Sequence, residues 1–503
     1  MNVEFSLSKD GNKTFCADKV FFHSTYSPEK EAQRFVDSTE FPYNPKIIFF
    51  IEPGLSYCAP LLKKRYPAAK IICLRLFDKS ISFSDEAEWD AVIPLDAARL
   101  ESLNQFLIDT FGEEKLLSSA LLIWKPAQNL FEPQIQIFIK EYKQTLEECK
   151  TLLVTRQFFE KKWLLNSCSF ISNIKKQISN NRIKTEKPVV VCASGPSLKP
   201  CIPILKQNTD KLFIICLSSA VPVLLNNSII PDIVLTTDGG YWAGEHLKEL
   251  KKHNDITVAA PAEAFIPKVI LRKNPVITLK YNDSSSFISN SIIEKSGLNS
   301  FEAVRNPTVS GTAFYFANSI TTGSVYFLGL DLSGQKGFQH SQPNEIEKDN
   351  SIFDTRIKPN TQRNTASYLN SGSLKIYQNW FMGLPANETG RTVRVIDGEL
   401  KNNSLGNIID ITSTEFEKEL EQGNCLFKHE TFSFEEYSPA NKSEIFEYIL
   451  SSLKTQKWQA QLFPADFISI NNCISEEEKQ KAQERLEEKV KLLEHKIRKL
   501  ADD

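Results

Sequence analysis

The sequence predicts an α/β protein with a Rossmann-like central domain, a smaller α/β domain before it and a helical region after it. Three observations support this fold class. Short apolar runs that end in small or polar residues recur through the middle of the chain, stretches of helix length separate them, and a similar alternation occupies the N-terminal part. Apolar runs alternating with helices are typical of parallel sheets whose strands are buried on both faces.

The first strand of the central domain is predicted at Val189–Cys192, where the apolar run gives way to the turn Ala-Ser-Gly-Pro-Ser-Leu at 193–198. Gly195 permits backbone angles or a close approach that a Cβ would prevent, and Pro196 fixes φ just before Ser197. Such a turn suits a phosphate or a sugar. It is also consistent with a simple connection between a strand and a helix.

Two more apolar runs follow, at 212–217 and 231–240; the first leads into Ser218 and the second contains Thr237 and Asp238. Open α/β sheets bind ligands at the carboxyl ends of their strands, which share one edge. We therefore expect Ser218 and Asp238 to lie near the ligand of the Gly-Pro-Ser turn. Asp238 is equally consistent with a turn or helix-cap residue.

The segment 306–320 predicts a helix whose start contains Ser310, Gly311 and Thr312. Unpaired amides at the start of a helix, together with the helix dipole, favour an anion. The next apolar run, at 324–332, predicts another buried strand that ends at Asp331.

Four motifs in order carry a resemblance: Gly-Pro-Ser-Leu at 195–198, Pro-Asp to Thr-Asp at 231–238, Ser-Gly-Thr at 310–312 and Gly-Leu-Asp at 329–331. This set resembles the motility accessory factor (Maf-type) family of flagellin glycosyltransferases, whose core is shared with relatives of hydroxymethylpterin pyrophosphokinase. It is also similar to bacterial sialyltransferases that use CMP-sialic acid. The resemblance covers residues 187–412 and, less strongly, the segment 24–32.

The resemblance implies site residues. The nucleotide-binding residues of a CMP-linked donor would be Gly195, Pro196, Ser197, Leu198, Ser218, Thr237, Ser310, Gly311, Thr312 and Asp331. Ser218 and Asp238 would lie near the ribose, the helix start would face the phosphate and sugar, and Asp331 would lie beside the cytosine.

The catalytic residues implied by the resemblance are His340, Asp238 and Tyr377. His340, the sole histidine in the downstream stretch of the core, would be the general base, and Tyr377 could hydrogen-bond the donor phosphate. An exposed loop histidine and a core aromatic are the respective alternatives. The polar segment between His340 and Ser373 is predicted to be a lid, an acceptor-binding loop or surface decoration.

The chemistry of such a transfer fits these residue types. Expulsion of CMP develops charge on a phosphate that needs hydrogen-bond donors, while the sugar becomes oxocarbenium-like. An acceptor hydroxyl must lose a proton, which a histidine can accept near neutral pH. The scheme requires no metal and no cofactor apart from the CMP-sugar donor, although Asp238 alone leaves metal use open.

The predicted function is therefore the transfer of a nonulosonic acid, of the pseudaminic or legionaminic type, from CMP to Ser or Thr of flagellin, in support of flagellar assembly and motility. Two alternatives remain open from the sequence. One is an ATP-dependent pyrophosphokinase of the pterin type, which would need Mg²⁺, and the other is a non-catalytic chaperone that binds flagellin.

Composition excludes several classes of protein. A hydrophobic fraction of 41%, a charged fraction of 24% and a net charge of -2 over 503 residues fit a soluble multidomain protein without nucleic-acid partners. No apolar run approaches the roughly 20 residues of a membrane-spanning helix, and the chain start lacks a signal-peptide pattern, so we expect a cytoplasmic protein. The ten cysteines show no metal-ligand spacing and are expected to be reduced thiols.

Four segments are predicted: an N-terminal α/β domain at 1–162, a helical connector at 163–186, the core at 187–412 and a helical region at 413–503. In the first, a Pro53-Gly54 turn is expected to be structural rather than ligand-binding. In the last, an apolar heptad pattern at 486–500 predicts a helix that packs on its own chain or pairs with a partner helix, which would allow oligomerisation.

Overall fold

A computed structural model describes residues 2–77, 88–179, 183–332, 338–357, 359, 372–397, 404–422, 433–439, 441–473 and 475–502. The chain forms two compact units. Unit 1 comprises Met1–Glu160 and Leu453–Leu492, and unit 2 comprises Lys161–Ser452 and Leu493–Asp503. Each unit contains helices and a parallel sheet, so the predicted α/β class is confirmed.

Unit 1 contains two sheets. Its strands are β1 (Val3–Leu7), β2 (Lys13–Ala17), β3 (Val20–Phe21), β4 (Ile47–Ile51), β5 (Lys70–Arg75), β6 (Ala91–Pro94) and β7 (Ser119–Ile123). The first three form an antiparallel sheet, and the others form a parallel sheet in the order β6-β5-β4-β7. All five residues of β4 are buried, as expected for a parallel strand that is covered on both faces.

Unit 2 is built on one large sheet. Its strands are β8 (Lys176–Ile178), β9 (Val189–Cys192), β10 (Phe213–Leu217), β11 (Ile233–Leu235), β12 (Thr257–Pro261), β13 (Val276–Tyr281), β14 (Ser300–Ala303), β15 (Val325–Leu328), β16 (Thr392–Val395), β17 (Ile409–Ile411) and β18 (Phe434–Glu436). The order is β17-β16-β15-β9-β10-β11-β12-β13-β8-β18, with β14 also paired to β13. All pairs are parallel except β18 with β8. Because β9 pairs with β10 on one side and with β15 on the other, the strand order reverses there, and a crevice opens at such a point.

The helices in chain order are α1 (Pro28–Asp37), α2 (Cys58–Arg65), α3 (Ala97–Glu101), α4 (Leu103–Phe111), α5 (Glu113–Leu117), α6 (Lys125–Leu130), α7 (Glu132–Asn173), α8 (Leu198–Gln207), α9 (Val221–Asn226), α10 (Tyr241–His246), α11 (Lys268–Lys273), α12 (Phe287–Ser296), α13 (Val309–Ile320), α14 (Glu345–Ser351), α15 (Gly372–Met382), α16 (Ala386–Thr389), α17 (Ser413–Gln422), α18 (Lys442–Ser452), α19 (Gln456–Leu462), α20 (Pro464–Asn472) and α21 (Glu476–Asp502). Short 3-10 helices span Ser218–Ala220, Lys248–Lys252 and Ser284–Ser286. Among the described residues, no helix combines the length and apolar character needed to cross a membrane.

Two of the segments expected to be helical also contain a strand. The connector at 163–186 is helical only to Asn173 and then supplies strand β8, and the region after 413 contains strand β18 between its helices. Both strands have three residues, which is too short for a periodic apolar pattern to show in the sequence. On α21 the heptad residues Leu486, Val490, Leu493 and Ile497 are buried by this chain itself.

Candidate active site

A cavity of about 190 Å³ lies at the carboxyl edge of the unit 2 sheet, where the strand order reverses. The turns after β9, β10 and β15 contribute to its walls. Its lining consists of Ala193, Ser194, Gly195, Leu217, Ser218, Ser219, Thr308, Val309, Ser310, Gly329, Leu330, Asp331, Leu332, Gln339, His340, Leu374 and Tyr377. The residues predicted from the sequence that line it are Gly195, Ser218, Ser310, Asp331, His340 and Tyr377.

The turn after β9 and the turn after β15 pass unusually close to one another. The Gly195 amide donates to the Gly329 carbonyl at 2.8 Å, and a Cβ on Gly195 would lie 2.6 Å from Oδ2 of Asp331. Gly329 has φ +74°, which favours glycine. The close approach predicted at Gly195 is therefore made by the protein's own backbone and carboxylate.

Asp331 anchors the Gly-Pro-Ser turn. The Ser197 amide donates to Oδ2 of Asp331 at 2.9 Å, and the Ser197 hydroxyl donates to Oδ1. Burial raises the pKa of the Asp331 carboxyl, against the opposing effects of the Ser197 hydrogen bonds and of the Arg394 charge. Ser197 is buried and lies outside the cavity lining, and its amide and hydroxyl are both bonded to Asp331.

The start of α13 faces the cavity with Thr308, Val309 and Ser310. Thr308 caps the helix, with its Oγ1 accepting from the Ser310 amide at 3.4 Å. The next two residues of the predicted motif serve packing instead. A Cβ on Gly311 would lie 2.7 Å from Cβ of Asn306, and the Thr312 hydroxyl donates to the Val304 carbonyl at 3.2 Å.

Four further predicted residues lie outside the lining: Pro196, Leu198, Thr237 and Asp238. Leu198 is fully buried at the start of α8, where it packs in the core rather than against a ligand. Asp238 is exposed, and its Oδ1 accepts from the Gly240 amide at 2.8 Å, which is the turn role that the sequence left open.

The loop at 338–344 carries His340 to the cavity and is fixed by hydrogen bonds to strand ends. The Ser341 amide donates to the Ser194 carbonyl at 2.7 Å, and its hydroxyl donates to the Gly195 carbonyl at 2.8 Å. Asn344 donates to the Ser219 carbonyl at 3.3 Å, and its Oδ1 caps the start of α14. His340 is therefore held by both the β9 and β10 turns.

Glu347 pairs with His340. Its Oε1 lies 3.1 Å from Nδ1 of His340 and also accepts from the amides of Gln339 and His340. The Glu347 side chain is 2% exposed, against 22% for His340. With Nδ1–H assigned as the donor to this carboxylate, Nε2 of His340 is the ring nitrogen that can accept a proton.

Glu347 was not predicted from the sequence, because it lies in a polar segment where acidic residues are ordinary. One signal was present: Asn344 and Glu347 have the spacing of a helix capping box. Residues 358 and 360–371 of this segment lie outside the described residues.

His246 is a buried neighbour of this pair. Burial lowers the pKa of His246 to about 4, and the charge of His340 acts in the same direction, whereas Asp238 and Glu245 oppose it. His246 is therefore neutral at pH 7.

Tyr377 and Leu374 line the cavity from α15, while Phe381 of the same helix is fully buried and packs in the core.

In the part of the chain that is described, no group of three or more His, Cys, Asp or Glu side chains is arranged to hold a metal ion.

Comparisons with known proteins agree with this architecture. Residues 162–337 match the family described as 6-hydroxymethylpterin diphosphokinase MptE-like. An uncharacterized protein of Treponema pallidum (strain Nichols) is 30% identical over 345 residues, which are 68% of this chain and 72% of that protein. The Maf glycosyltransferase structure from Magnetospirillum magneticum AMB-1 superposes with a TM-score of 0.53 at 12% identity, over 99% of this chain and 90% of that one.

These findings define an α/β protein with an MptE-like core and the fold of a Maf glycosyltransferase. The chain belongs to the family of the Treponema pallidum protein, a Maf-type family with an MptE-like core. The family resemblance predicted from the sequence motifs is confirmed.

Proposed function

We propose that unit 2 transfers a nonulosonic acid, of the pseudaminic or legionaminic type, from a CMP-activated donor to Ser or Thr hydroxyls of flagellin. The observation that carries the proposal is the His340–Glu347 pair on the wall of a cavity at the strand-order reversal. The fold shared with a Maf glycosyltransferase and the motif resemblance support the transferase class.

The donor would bind with its nucleotide in the cavity. At about 190 Å³ the cavity is smaller than the 300–1,000 Å³ typical of ligand pockets, so the sugar would extend past His340. The start of α13, a helix of 12 residues, would direct the positive end of its helix dipole at the donor phosphate. Ser218 and Ser310 line the same space.

The proposed step balances without a further reactant. The bond between the anomeric carbon and the phosphate oxygen breaks, and its electron pair leaves with CMP. The acceptor oxygen forms the new bond to the anomeric carbon, and its proton passes to Nε2 of His340. Glu347 acts as a positioning residue that fixes the tautomer and stabilises the imidazolium through Nδ1.

A second candidate is the diphosphokinase activity in the name of the matched family. Such an enzyme would bind ATP with Mg²⁺ rather than CMP. The match covers residues 162–337 and so includes most of the cavity residues but neither His340 nor Glu347. Because His340 and Glu347 lie outside the region that the diphosphokinase-like family shares with this chain, a mechanism that uses this pair favours the glycosyltransferase.

Calorimetric titration with CMP, a CMP-nonulosonic acid and ATP with Mg²⁺ separates these functions. We expect CMP and the CMP-sugar to bind and ATP to give no heat of binding. Binding of ATP with Mg²⁺ and not of CMP would favour the diphosphokinase instead, and binding of neither would favour a flagellin-binding chaperone.

Turnover of flagellin, counted by mass spectrometry, tests the catalytic pair. His340→Ala should lower turnover by about 10² to 10⁴ at unchanged CMP affinity, because the base is not used in donor binding. Glu347→Gln should lower kcat at unchanged CMP affinity, because His340 loses the carboxylate that orients its ring and Glu347 does not line the cavity. Near-normal turnover in His340→Ala would remove His340 from the mechanism.

A further inference from the structure

His340 lines a second cavity as well as the first. This second cavity, here the α8 groove, has a volume of about 500 Å³. Lys199, Ile202 and Pro203 form its wall on α8, at the i, i+3, i+4 spacing that places side chains on one helix face. The loop from Phe338 to Gln342 forms another wall. A molecule in the groove and a donor in the first cavity would therefore meet at His340.

Most polar side chains of the α8 groove are already bonded to the protein. The Asn227 amide donates to the Val223 carbonyl at 2.8 Å, and the Ser341 hydroxyl donates to the Gly195 carbonyl at 2.8 Å. The Gln342 amide donates to the carbonyl of His340 at 3.3 Å. A saccharide needs many hydrogen-bond partners when its hydroxyls leave water, and this lining offers few.

The apolar part of the lining points to a different occupant. Phe338 is 44% exposed and shares the groove with Ile202, Pro203 and Pro196. An extended peptide segment can be recognised through pockets that take its alternate side chains, and an apolar groove suits apolar side chains of such a segment. The volume is within the range of ligand pockets.

We propose that the α8 groove binds the acceptor as an extended polypeptide segment, with the hydroxyl of its Ser or Thr at Nε2 of His340. This inference rests on the proposed transfer to a protein hydroxyl and assigns its acceptor side. Phe338 would pack against apolar side chains of the acceptor and so determine acceptor specificity, without contact with the donor nucleotide.

The test is steady-state transfer to purified flagellin subunits by Phe338→Asp, together with flagellin binding measured without donor. We expect KM for flagellin and the dissociation constant of flagellin to rise at least about tenfold, because an apolar contact is lost, while CMP affinity is unchanged. Phe353→Asp is the matched control. Phe353 is also an exposed phenylalanine of unit 2, 69% exposed, and it lines neither cavity.

The outcomes separate this inference from the proposed function. Flagellin binding and KM that are equal in the wild type, Phe338→Asp and Phe353→Asp overturn the groove assignment even if transfer occurs. Weaker flagellin binding in Phe338→Asp alone supports the groove even if no transfer is detected, in which case the proposed function fails. Lactose is the saccharide probe. If KM for lactose is lower than KM for flagellin and rises equally in Phe338→Asp, the groove binds a saccharide and the polypeptide assignment is wrong.

Discussion

The two parallel sheets of the molecule share a topological feature and differ in what occupies it. In unit 1 strand β4 pairs with both β5 and β7, and in unit 2 strand β9 pairs with both β10 and β15. Each of these central strands is followed by a turn that contains proline and glycine, at 53–54 in unit 1 and at 195–196 in unit 2. Both edges thus satisfy the topological condition for a ligand crevice.

In unit 1 the edge is filled by the protein's own groups. The fully buried Glu52 carboxylate accepts from Arg75 Nη1 at 2.6 Å and from the amides of Leu76 and Phe77 at 2.7 and 3.0 Å. His23 lies against Gly54 and accepts from the Leu55 amide at 2.8 Å. The donors that would serve a ligand anion are bonded to Glu52, in agreement with a structural role for this turn.

In unit 2 the corresponding turn is also held by a carboxylate of the protein, because Ser197 donates to Asp331. The neighbouring elements, however, leave a cavity beside this turn. Ser218, the start of α13 and His340 face that cavity. A turn with proline and glycine after a central strand is therefore not enough for a candidate site. The candidate site of unit 2 differs in the groups that line a cavity beside the turn.

The largest expected effect is the loss of the unit 1 ion pair. Glu52→Ala should lower the free energy of unfolding by about 3–5 kcal/mol, because the buried Arg75 guanidinium loses its carboxylate. Chemical denaturation followed by fluorescence gives this value, with CMP affinity measured well below the transition. If the free energy of unfolding falls by less than about 1 kcal/mol, or if the folded variant loses CMP affinity, the proposed difference between the two sheet edges is wrong.

A smaller effect is expected from the histidines. Burial lowers the pKa of His246 from 6.5 to about 4, so the folded state favours neutral imidazole, and its contribution to stability is present above pH 6.5. About 3 kcal/mol should be lost as the pH falls to about 4. In unit 1, burial lowers the pKa of His23 to about 3, so its loss continues to more acidic pH.

Unfolding free energies of the wild type and of His246→Gln between pH 7 and pH 3.5 check this expectation. The variant should lack the His246 part of the slope between pH 6.5 and 4 and should keep the part that belongs to His23, which runs from pH 6.5 to about pH 3. Identical slopes in the two proteins would contradict the assignment.

The smallest effect comes from two helix caps. Thr308→Ala in unit 2 and Asp96→Ala in unit 1 each remove a side chain that caps a helix start, and each should lower stability by about 1 kcal/mol. Only Thr308→Ala should also weaken CMP binding, because only Thr308 lines the cavity. Parallel thermal melting and calorimetric titration of the two variants test the difference, and equal CMP affinities would contradict it.

The sequence predicted the large features of this molecule well. The apolar runs at Val189–Cys192 and Phe213–Leu217 are parallel strands, and α13 begins close to the predicted Ser-Gly-Thr motif. These features are local, since burial on both faces requires a continuous apolar run. The turn at 193–198 was also recognised, because glycine beside proline is uncommon within strands and helices. The run at 324–332 was predicted as a strand through Asp331, whereas β15 ends at Leu328.

The contacts between the turns after β9 and β15 could not be predicted. Ser197 and Asp331 are 134 residues apart, and only the pairing of β9 with β15 brings them together. The same holds for Glu347, whose role depends on a loop that folds His340 back onto it. A single sequence shows residue types at strand ends but not which of them bond to one another and which face a ligand.

Hydrogen–deuterium exchange with and without saturating CMP tests whether the unit 2 edge is a ligand site and the unit 1 edge is not. We expect slower exchange on CMP binding in the segments that line the cavity, at 193–195, 217–219, 308–310 and 339–340, with no change at 52–55 and 75–77. Protection at 52–55 and 75–77, or protection at neither edge, would contradict it.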